Sequence, residues 1–413
     1  MTRRVVVTGL GVVSSIGIGK DDFWPNLISG KSGISPITSF STSEFSTHNG
    51  GEIKNLDHRI FLDKSSNQKT GRAPKVQALP GRASCLAIGA AKLGVKDAGL
   101  NLENIDRDKI GVCLGTTMGE SQIVEEINLA WFNRGLGAVD TDLIPKYPAN
   151  VLAANVAREL NLAGPNMVIP NACAAGNYAI GWAYDLIRSG DADFMFAGGT
   201  DAFSRIAFIG FNRLLAVAPQ ICQPFDKNRR GMLVGEGAGI LVLEAYDSAL
   251  KRGAQIYAEI LGYGLSCDAH HMTAPLGEGV KEAIEKSLKF SGVSPDEVSY
   301  LNAHGTGTPA NDREECVAIK KVFGDYSKKL PVSSIKSMLG HTMGAASAIE
   351  AVTCCLAIKN DIIPPTINYE TPDPDCDIDC VPNVARKLKV NIALNSSSAF
   401  GGNNACLVLK KIS

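Results

Sequence analysis

Short runs of β-branched and aliphatic residues alternate along the chain with longer, Ala-rich stretches in which apolar positions recur at helical spacing. The short runs predict strands at 5–8, 111–114, 167–169, 194–197, 240–243, 298–302, 332–335, 390–393 and 407–409. Strands that alternate with helices in this way are typical of layered folds. We therefore expect an α/β protein.

One faint internal repeat links the first and second parts of this pattern. The run GILVLE at 239–244 resembles the run ACLVLK at 405–410. Self-similarity of this kind predicts two similar halves, which we expect to meet near residue 250. No low-complexity linker separates them, so the halves are expected to pack as one body.

Composition and charge exclude several classes of protein. The 413 residues are 45% hydrophobic and 20% charged, as in an ordinary globular protein. Lys and Arg total 41 against 42 Asp and Glu, so no uniform field attracts a nucleic acid or an anionic membrane. No apolar run approaches the roughly 18 residues of a membrane span, and the start lacks a secretory signal pattern. We expect a cytoplasmic protein that binds neither nucleic acid nor membrane.

The cysteine and glycine motifs predict neither a metal site nor a nucleotide cofactor. The 11 cysteines are odd in number and scattered, as expected for reduced thiols. Cys376 and Cys380 lack the second ligand pair of a zinc site. Gly9 and Gly11 follow a predicted strand, but Ser14 replaces the third glycine of the dinucleotide fingerprint.

Cys173 stands at a predicted junction between a strand and a helix, since the run at 167–169 precedes it and a helical pattern follows as far as Gly190. Unpaired amides and the dipole at a helix start favour a thiolate and can receive a developing oxyanion. The sequence therefore predicts a nucleophilic cysteine with a lowered thiol pKa. An isolated cysteine is more often a small core residue, and the rest of the chain must decide.

Two histidines and a lysine lie in small-residue loops that follow predicted strands. His304 opens the loop GTGT at 305–308, and His341 lies in a turn before an Ala-rich stretch. Lys336 comes at the end of the strand that precedes His341. With Cys173 these residues predict Cys–His chemistry, which leaves a condensing enzyme, a peptidase and a simple acyltransferase open.

Three motifs in order, NACAAG at 171–176, NAHGTGT at 302–308 and KSMLGHTMGAA at 336–346, resemble the active site of β-ketoacyl-acyl-carrier-protein synthases. The resemblance extends through nearly the whole chain, including VVVTGLGVVSSIG at 5–17 and SSSAFGGNNACLVL at 396–409. It implies a thiolase-like fold of two duplicated halves in a five-layer αβαβα arrangement. Residues 1–252 would carry the nucleophilic cysteine and residues 253–413 the two catalytic histidines. It also implies a dimer that brings the two cysteine-bearing strands together.

The resemblance implies a role for each matching residue. Cys173 would carry the acyl group, and its backbone amide and that of Phe400 would form the oxyanion hole. His304 and His341 would promote decarboxylation of malonyl-carrier protein and stabilise the carbanion, while Lys336 would order the histidine pair. The remaining matches are the substrate-contacting residues Thr306, Thr308, Met118 and Ser398 and the supporting residues Glu315 and Glu350.

Several departures from the family pattern bear on the pathway. Asn171 and Ala175 replace hydroxyl residues that flank the cysteine in elongating fatty-acid enzymes, and Ser398 replaces one of two gate phenylalanines. They favour the ketosynthase subunit of a type II polyketide or polyene pathway, paired with a homologous chain-length subunit, over a homodimeric fatty-acid elongating synthase. A non-condensing acyltransferase is the alternative of another class, and it would not need Lys336 and both histidines.

The substrates of such an enzyme are carried on the phosphopantetheine of an acyl carrier protein, so no separate cofactor is expected. The carrier protein is the expected partner in either pathway. Because carrier proteins of these systems are acidic, a basic patch is expected near the entrance to the site. Arg205, Lys64 and Lys69 are the candidates for it.

Overall fold

The structure is a computed structural model that describes residues 3–62 and 79–412, so Lys64 and Lys69 lie outside the described residues. The strands are β1 (Val5–Ser14), β2 (Gly17–Ile18), β3 (Ser35–Pro36), β4 (Asn49–Gly50), β5 (Ile110–Gly115), β6 (Asn166–Ile169), β7 (Phe194–Asp201), β8 (Gly237–Ala245), β9 (Ala258–Cys267), β10 (Tyr300–Asn302), β11 (Val332–Ser333), β12 (Ile362–Ile363), β13 (Arg386–Lys387), β14 (Ile392–Ala399) and β15 (Asn403–Lys410). The α-helices are α1 (Lys20–Ile28), α2 (Arg82–Asp97), α3 (Ser121–Arg134), α4 (Val151–Leu160), α5 (Ala175–Ser189), α6 (Arg205–Arg213), α7 (Tyr246–Lys251), α8 (Gly277–Ser291), α9 (Pro309–Phe323), α10 (Lys336–Leu339) and α11 (Ala346–Asn360).

The main sheet consists of two half-sheets with the same topology. Across the described residues its order is β11-β10-β14-β15-β9-β1-β8-β7-β5-β6. From its outer edge inwards, the first half has the order β6-β5-β7-β8-β1 and the second half has the order β11-β10-β14-β15-β9. In both halves the outermost strand is therefore the third along the chain, followed by the second, fourth, fifth and first. The halves join where Val5–Val7 of β1 pair antiparallel with residues 258–260 of β9. The duplication predicted from the repeat is confirmed, and the two similar runs lie in the equivalent strands β8 and β15.

Helices lie between the half-sheets and on both outer faces. α5 and α11 pack against strands of both halves, whereas α2 packs only on the first half-sheet and α8 only on the second. Alternate side chains of β8 explain this layering, because Leu241 and Leu243 enter the central core while Ile240 and Val242 enter the outer core beneath α2. A strand buried on both faces is therefore apolar over most of its length. The result is the αβαβα arrangement of the thiolase-like fold, as predicted.

The predicted strands all overlap strands of the structure, with three notable differences. β9 was not predicted, β14 continues to Ala399 beyond the predicted 390–393, and the run 332–335 ends as a strand at Ser333. Ile335 already adopts a helical conformation at the start of α10. The proposed boundary between residues 252 and 253 falls in the link between α7 and β9, and it stays a prediction.

Candidate active site

Cys173 lies in a tight turn between β6 and α5. The turn spans Ala172–Ala174, and Ala172 adopts a left-handed conformation with φ 42°. Non-glycine residues rarely adopt this conformation, and where they do the surrounding structure must hold them. The second half repeats the arrangement before α11, where Met343 (φ 54°) opens the turn Met343–Ala345. Cys173 is therefore the counterpart of Gly344 in the duplicated half.

The structure brings Cys173, His304 and His341 together. The sulfur and one ring nitrogen of each histidine lie within 4.8 Å of one another. The centroids of the two imidazole rings are 5.4 Å apart, and the ring planes are nearly perpendicular, at 80°. No fourth Cys, His, Asp or Glu within the described ranges joins them to close a structural zinc set. The first half supplies the thiol and the second half both imidazoles.

The thiol of Cys173 is buried, and its protonation differs from the sequence-based expectation. Burial raises the pKa of Cys173 to about 12, although the charge of Lys336 and the backbone N–H groups of Phe400 and Cys173 act in the opposite direction. The predicted lowering of this pKa is therefore wrong, because dehydration of the sulfur outweighs the groups that favour a thiolate. The two N–H groups directed at the sulfur are nevertheless the pair predicted as an oxyanion hole.

Both histidines of the cluster are neutral at pH 7. Burial lowers the pKa of His304 and of His341 well below the ordinary value, and the nearby charge of Lys336 lowers both further. Nδ1 of His341 accepts the backbone N–H of Met343 at 3.1 Å, so the single proton of the neutral ring is on Nε2. Among the described residues, neither Nε2 of His341 nor Nδ1 of His304 has a hydrogen-bond partner, and both atoms are buried.

Two buried ionisable side chains, Lys336 and Glu315, fix the backbone around His304, and Glu350 pairs with Lys336. The ammonium of Lys336 donates to the carbonyl oxygen of His304 at 2.7 Å and to the carboxylate of Glu350. Glu315 accepts the N–H groups of His304 and Gly305, both at 2.7 Å, and burial raises its pKa to about 7. Both glutamates lie on helices, where a charge is usually exposed, but both are buried.

A cavity of about 310 Å³ leads to this cluster. Thr306, Thr308 and Ser398 line it as the sequence places them, together with Phe400, whose ring packs against Phe211 at 5.5 Å. Met118 does not line this cavity and lies on the loop that follows β5, so its contact with substrate stays a prediction.

Several cavity residues were not predicted. The apolar side chains of Phe211, Leu214 and Met272 line the cavity, but an apolar residue gives no sequence signal that it faces a site and not a core. Asp201 was not predicted either, although the sequence marks it as unusual. It is an acidic residue at the end of an otherwise apolar and small-residue strand.

Arg205 begins α6 and is exposed, with its guanidinium 3.8 Å from the carboxylate of Glu125. Its role in carrier binding stays a prediction. Among the described helices, none combines the length and the apolar character needed to cross a bilayer.

Comparisons with known proteins agree with this geometry. Residues 2–249 match the family model of the beta-ketoacyl synthase N-terminal domain, and residues 257–370 match that of the C-terminal domain. The 3-oxoacyl-[acyl-carrier-protein] synthase 2 of Synechocystis sp. is 42% identical over 99% of this chain and 98% of its own length. The solved ishigamide ketosynthase/chain length factor gives a TM-score of 0.94 at 44% identity, with 100% of each chain covered. A type II polyketide ketosynthase, solved with a bound hexaketide and its acyl-carrier protein, gives a TM-score of 0.90 at 34% identity, again with 100% of each chain covered. The chain therefore belongs to the beta-ketoacyl synthase family of condensing acyltransferases.

Proposed function

We propose that the chain condenses a Cys173-bound acyl group with malonyl-carrier protein as the ketosynthase subunit of a type II polyketide or polyene pathway. The observation that carries this proposal is the convergence of the Cys173 thiol with two neutral imidazoles at the end of one cavity. A peptidase or a simple acyltransferase needs one base, whereas decarboxylation gains from a second neutral donor.

Acyl transfer comes first in the proposed sequence. A thiol with a pKa of about 12 needs a base, and His304 supplies it because His341 already carries its proton on Nε2 and accepts a bond at Nδ1. As the sulfur attacks the carrier thioester, the N–H groups of Cys173 and Phe400 receive the oxyanion. The carbon–sulfur bond to the pantetheine then breaks, and the departing sulfur takes the proton from His304.

Condensation follows when malonyl-carrier protein occupies the same cavity. The Nε2–H of His341 donates to the malonyl thioester oxygen, the bond to the carboxylate breaks and carbon dioxide leaves. The resulting enolate carbon attacks the acyl carbonyl on Cys173. The cysteine sulfur departs and takes a proton that comes ultimately from solvent, and the product on the carrier is two carbons longer.

A second subunit is part of this proposal. β6 ends the sheet, so within the described residues its outer edge has no strand partner, and Met167 on it is exposed. Trp131 and Phe132 on α3 stack on each other at 5.4 Å in an exposed position. A free strand edge and exposed aromatic rings favour a protein partner. Because Cys173 follows β6, pairing at this edge would bring two cysteine-bearing strands together.

Fatty-acid elongation by a homodimer is the second candidate function, and the identity to 3-oxoacyl-[acyl-carrier-protein] synthase 2 proteins favours it. Mass spectrometry separates the two. The purified chain is incubated with acyl- and malonyl-carrier proteins, alone and with a homologue that lacks the cysteine. Extension only with that homologue supports the polyketide heterodimer, and extension alone supports the homodimer. Failure of Cys173 to load in either mixture contradicts the condensing function.

A further inference from the structure

Asp201 is a fully buried carboxylate at the end of β7, and four hydrogen-bond donors from two different loops converge on it. Its Oδ1 accepts the Thr116 hydroxyl at 2.7 Å and the Met118 N–H at 2.9 Å. Its Oδ2 accepts the Thr117 N–H at 2.8 Å and the Gly344 N–H at 2.6 Å. Burial raises the pKa of Asp201 to about 6, while these donors act against that rise.

The first of the two loops is the segment after β5 that carries Met118. The Thr116 hydroxyl, besides donating to Asp201, accepts the N–H of Gly119 at 2.9 Å. The carboxylate therefore sets the backbone course of residues 116–119. Any role of Met118 beside the acyl chain depends on that course.

The second loop is the turn that follows His341. The consecutive N–H groups of Met343 and Gly344 donate to Nδ1 of His341 and to Asp201. Met343 is left-handed with φ 54°, a strained conformation that must be held by its surroundings. A Cβ added at Gly344 would lie 2.5 Å from the backbone of Thr116, so the turn is also packed directly against the first loop.

We propose that Asp201 is a positioning residue that couples the Met118 loop to the proton position on His341. Asp201 accepts the N–H of Gly344 and so holds the turn in which the preceding N–H, that of Met343, donates to Nδ1 of His341. Because Nδ1 is then an acceptor, the proton stays on Nε2. This inference rests on the proposed function, because only a decarboxylating enzyme needs that donor.

Two substitutions separate the contact of Asp201 with the turn after His341 from its contacts with the Met118 loop. Asp201→Asn retains one carbonyl oxygen, which we expect at the Oδ2 position. Oδ2 accepts two N–H groups, those of Thr117 and Gly344, whereas Oδ1 accepts one N–H group, that of Met118, and a hydroxyl that can reverse. D201N should therefore keep the hydrogen bond to the turn after His341 and disturb the hydrogen bonds to Thr116 and Met118. Asp201→Ala removes both.

The matched control is Glu120→Ala. Glu120 is also buried and also accepts two backbone N–H groups, from Ser84 at 2.8 Å and Ala83 at 3.3 Å, but it caps α2 and does not contact the turn after His341. Three readouts are compared with wild type: acylation of Cys173, carbon dioxide release from malonyl-carrier protein, and the ring ¹⁵N shifts of labelled His341, assigned with His341→Gln.

In D201A we expect loss of the Nε2–H tautomer signal and a fall in carbon dioxide release of about tenfold or more beyond any fall in acylation. D201N should keep the tautomer and change acylation rate or product length. Retention of the tautomer in D201A overturns the proposal, as does an equal fall of both half-reactions in D201A and E120A. If D201A does not fold, D201N decides: a retained tautomer together with a changed acylation rate or product length supports the proposal, and wild-type behaviour in all three readouts overturns it. A wild-type protein that neither loads nor decarboxylates contradicts the proposed function alone, since the ¹⁵N measurement needs no turnover.

Discussion

Lys336 and Glu350 form an ion pair whose side chains are only 2% and 1% exposed. The same ammonium donates to the carbonyl of His304, so one buried charge joins the core of α11 to the loop of the imidazole. The charge also lowers the pKa of both histidines. The pair therefore affects both stability and chemistry, and these effects are separable.

Lys336→Met should destabilise the protein by about 3–5 kcal/mol, because it leaves the Glu350 carboxylate buried without its partner. The double variant Lys336→Met/Glu350→Leu removes both charges and should recover most of that loss. Neither variant restores the bond to the His304 carbonyl, so carbon dioxide release should stay low in both. Urea unfolding and a decarboxylation assay test this. A single variant as stable as wild type would refute the role of the pair.

The thiol pKa of about 12 predicts an unusual alkylation profile. The thiolate fraction should rise about tenfold per pH unit from pH 7 to 10, whereas the thiolate fraction of an ordinary thiol is half complete near pH 8.5 and levels off above it. Peptide mass spectrometry after brief iodoacetamide treatment measures it, and exposed Cys267 reports reagent quality in each sample. A plateau below pH 8 at Cys173 would restore the lowered pKa that the sequence predicted.

His341→Ala should lower carbon dioxide release by about 10²- to 10³-fold, the usual effect of losing one donor to a developing oxyanion. Acylation of Cys173 should fall much less, because its oxyanion donors are backbone N–H groups. His341→Gln, which can place an amide N–H near the former Nε2, should recover part of the loss. Equal losses in both half-reactions would assign His341 to the acylation step as well.

The lowered pKa of His304 and His341 predicts how the two rings respond to acid. Both rings should stay neutral as the pH falls from 8 to 6.5, so their ring ¹⁵N shifts should be nearly constant. Carbon dioxide release is a poorer measure over this range, because Glu315, which holds the His304 backbone, has a pKa of about 7. Lys336→Met removes a charge that lowers the pKa of both rings, so in that variant their protonation should begin at a higher pH. Wild-type shifts that change with a midpoint near 6.5 would show ordinary histidines.

Phe132→Asp should weaken subunit association, because the Phe132 side chain is 78% exposed and stacks on the exposed Trp131. Light scattering should then report a smaller mass at micromolar concentration. Val384→Asp is the matched control, since Val384 is 75% exposed but lies in the second half. If both variants or neither changes the mass, α3 is not at the interface.

Most of the sheet was predictable because its strands are buried on both faces and therefore read as apolar runs. β9 was missed since glycines interrupt it, and Gly264 is required there because a Cβ would lie 2.1 Å from the Ala283 carbonyl on α8. The polar end of β14 was missed because it does not read as an apolar run, although some of its side chains find hydrogen-bond partners inside the protein. Asn395, for example, bonds to Asn177 and to the carbonyl of Ser347.

The candidate site was predictable as a set of motifs but not in its electrostatics. The sequence located Cys173 at a helix start, where the dipole favours a thiolate, but it did not show how completely the sulfur is removed from water. The sequence offers one sign of Asp201, an acidic residue at the end of an apolar strand, but it does not show the importance of that residue. The importance lies in four donors that come from segments far apart in the chain, and such convergence is a property of the fold.

The equivalent turns before α5 and α11 also bear on the ancestry of the chain. One half carries a cysteine at the position where the other has Gly344, and both imidazoles lie in the second half. Neither half has a complete chemistry of its own. A recombination event that exchanged only one half between relatives would join a nucleophile to donors shaped around a different partner.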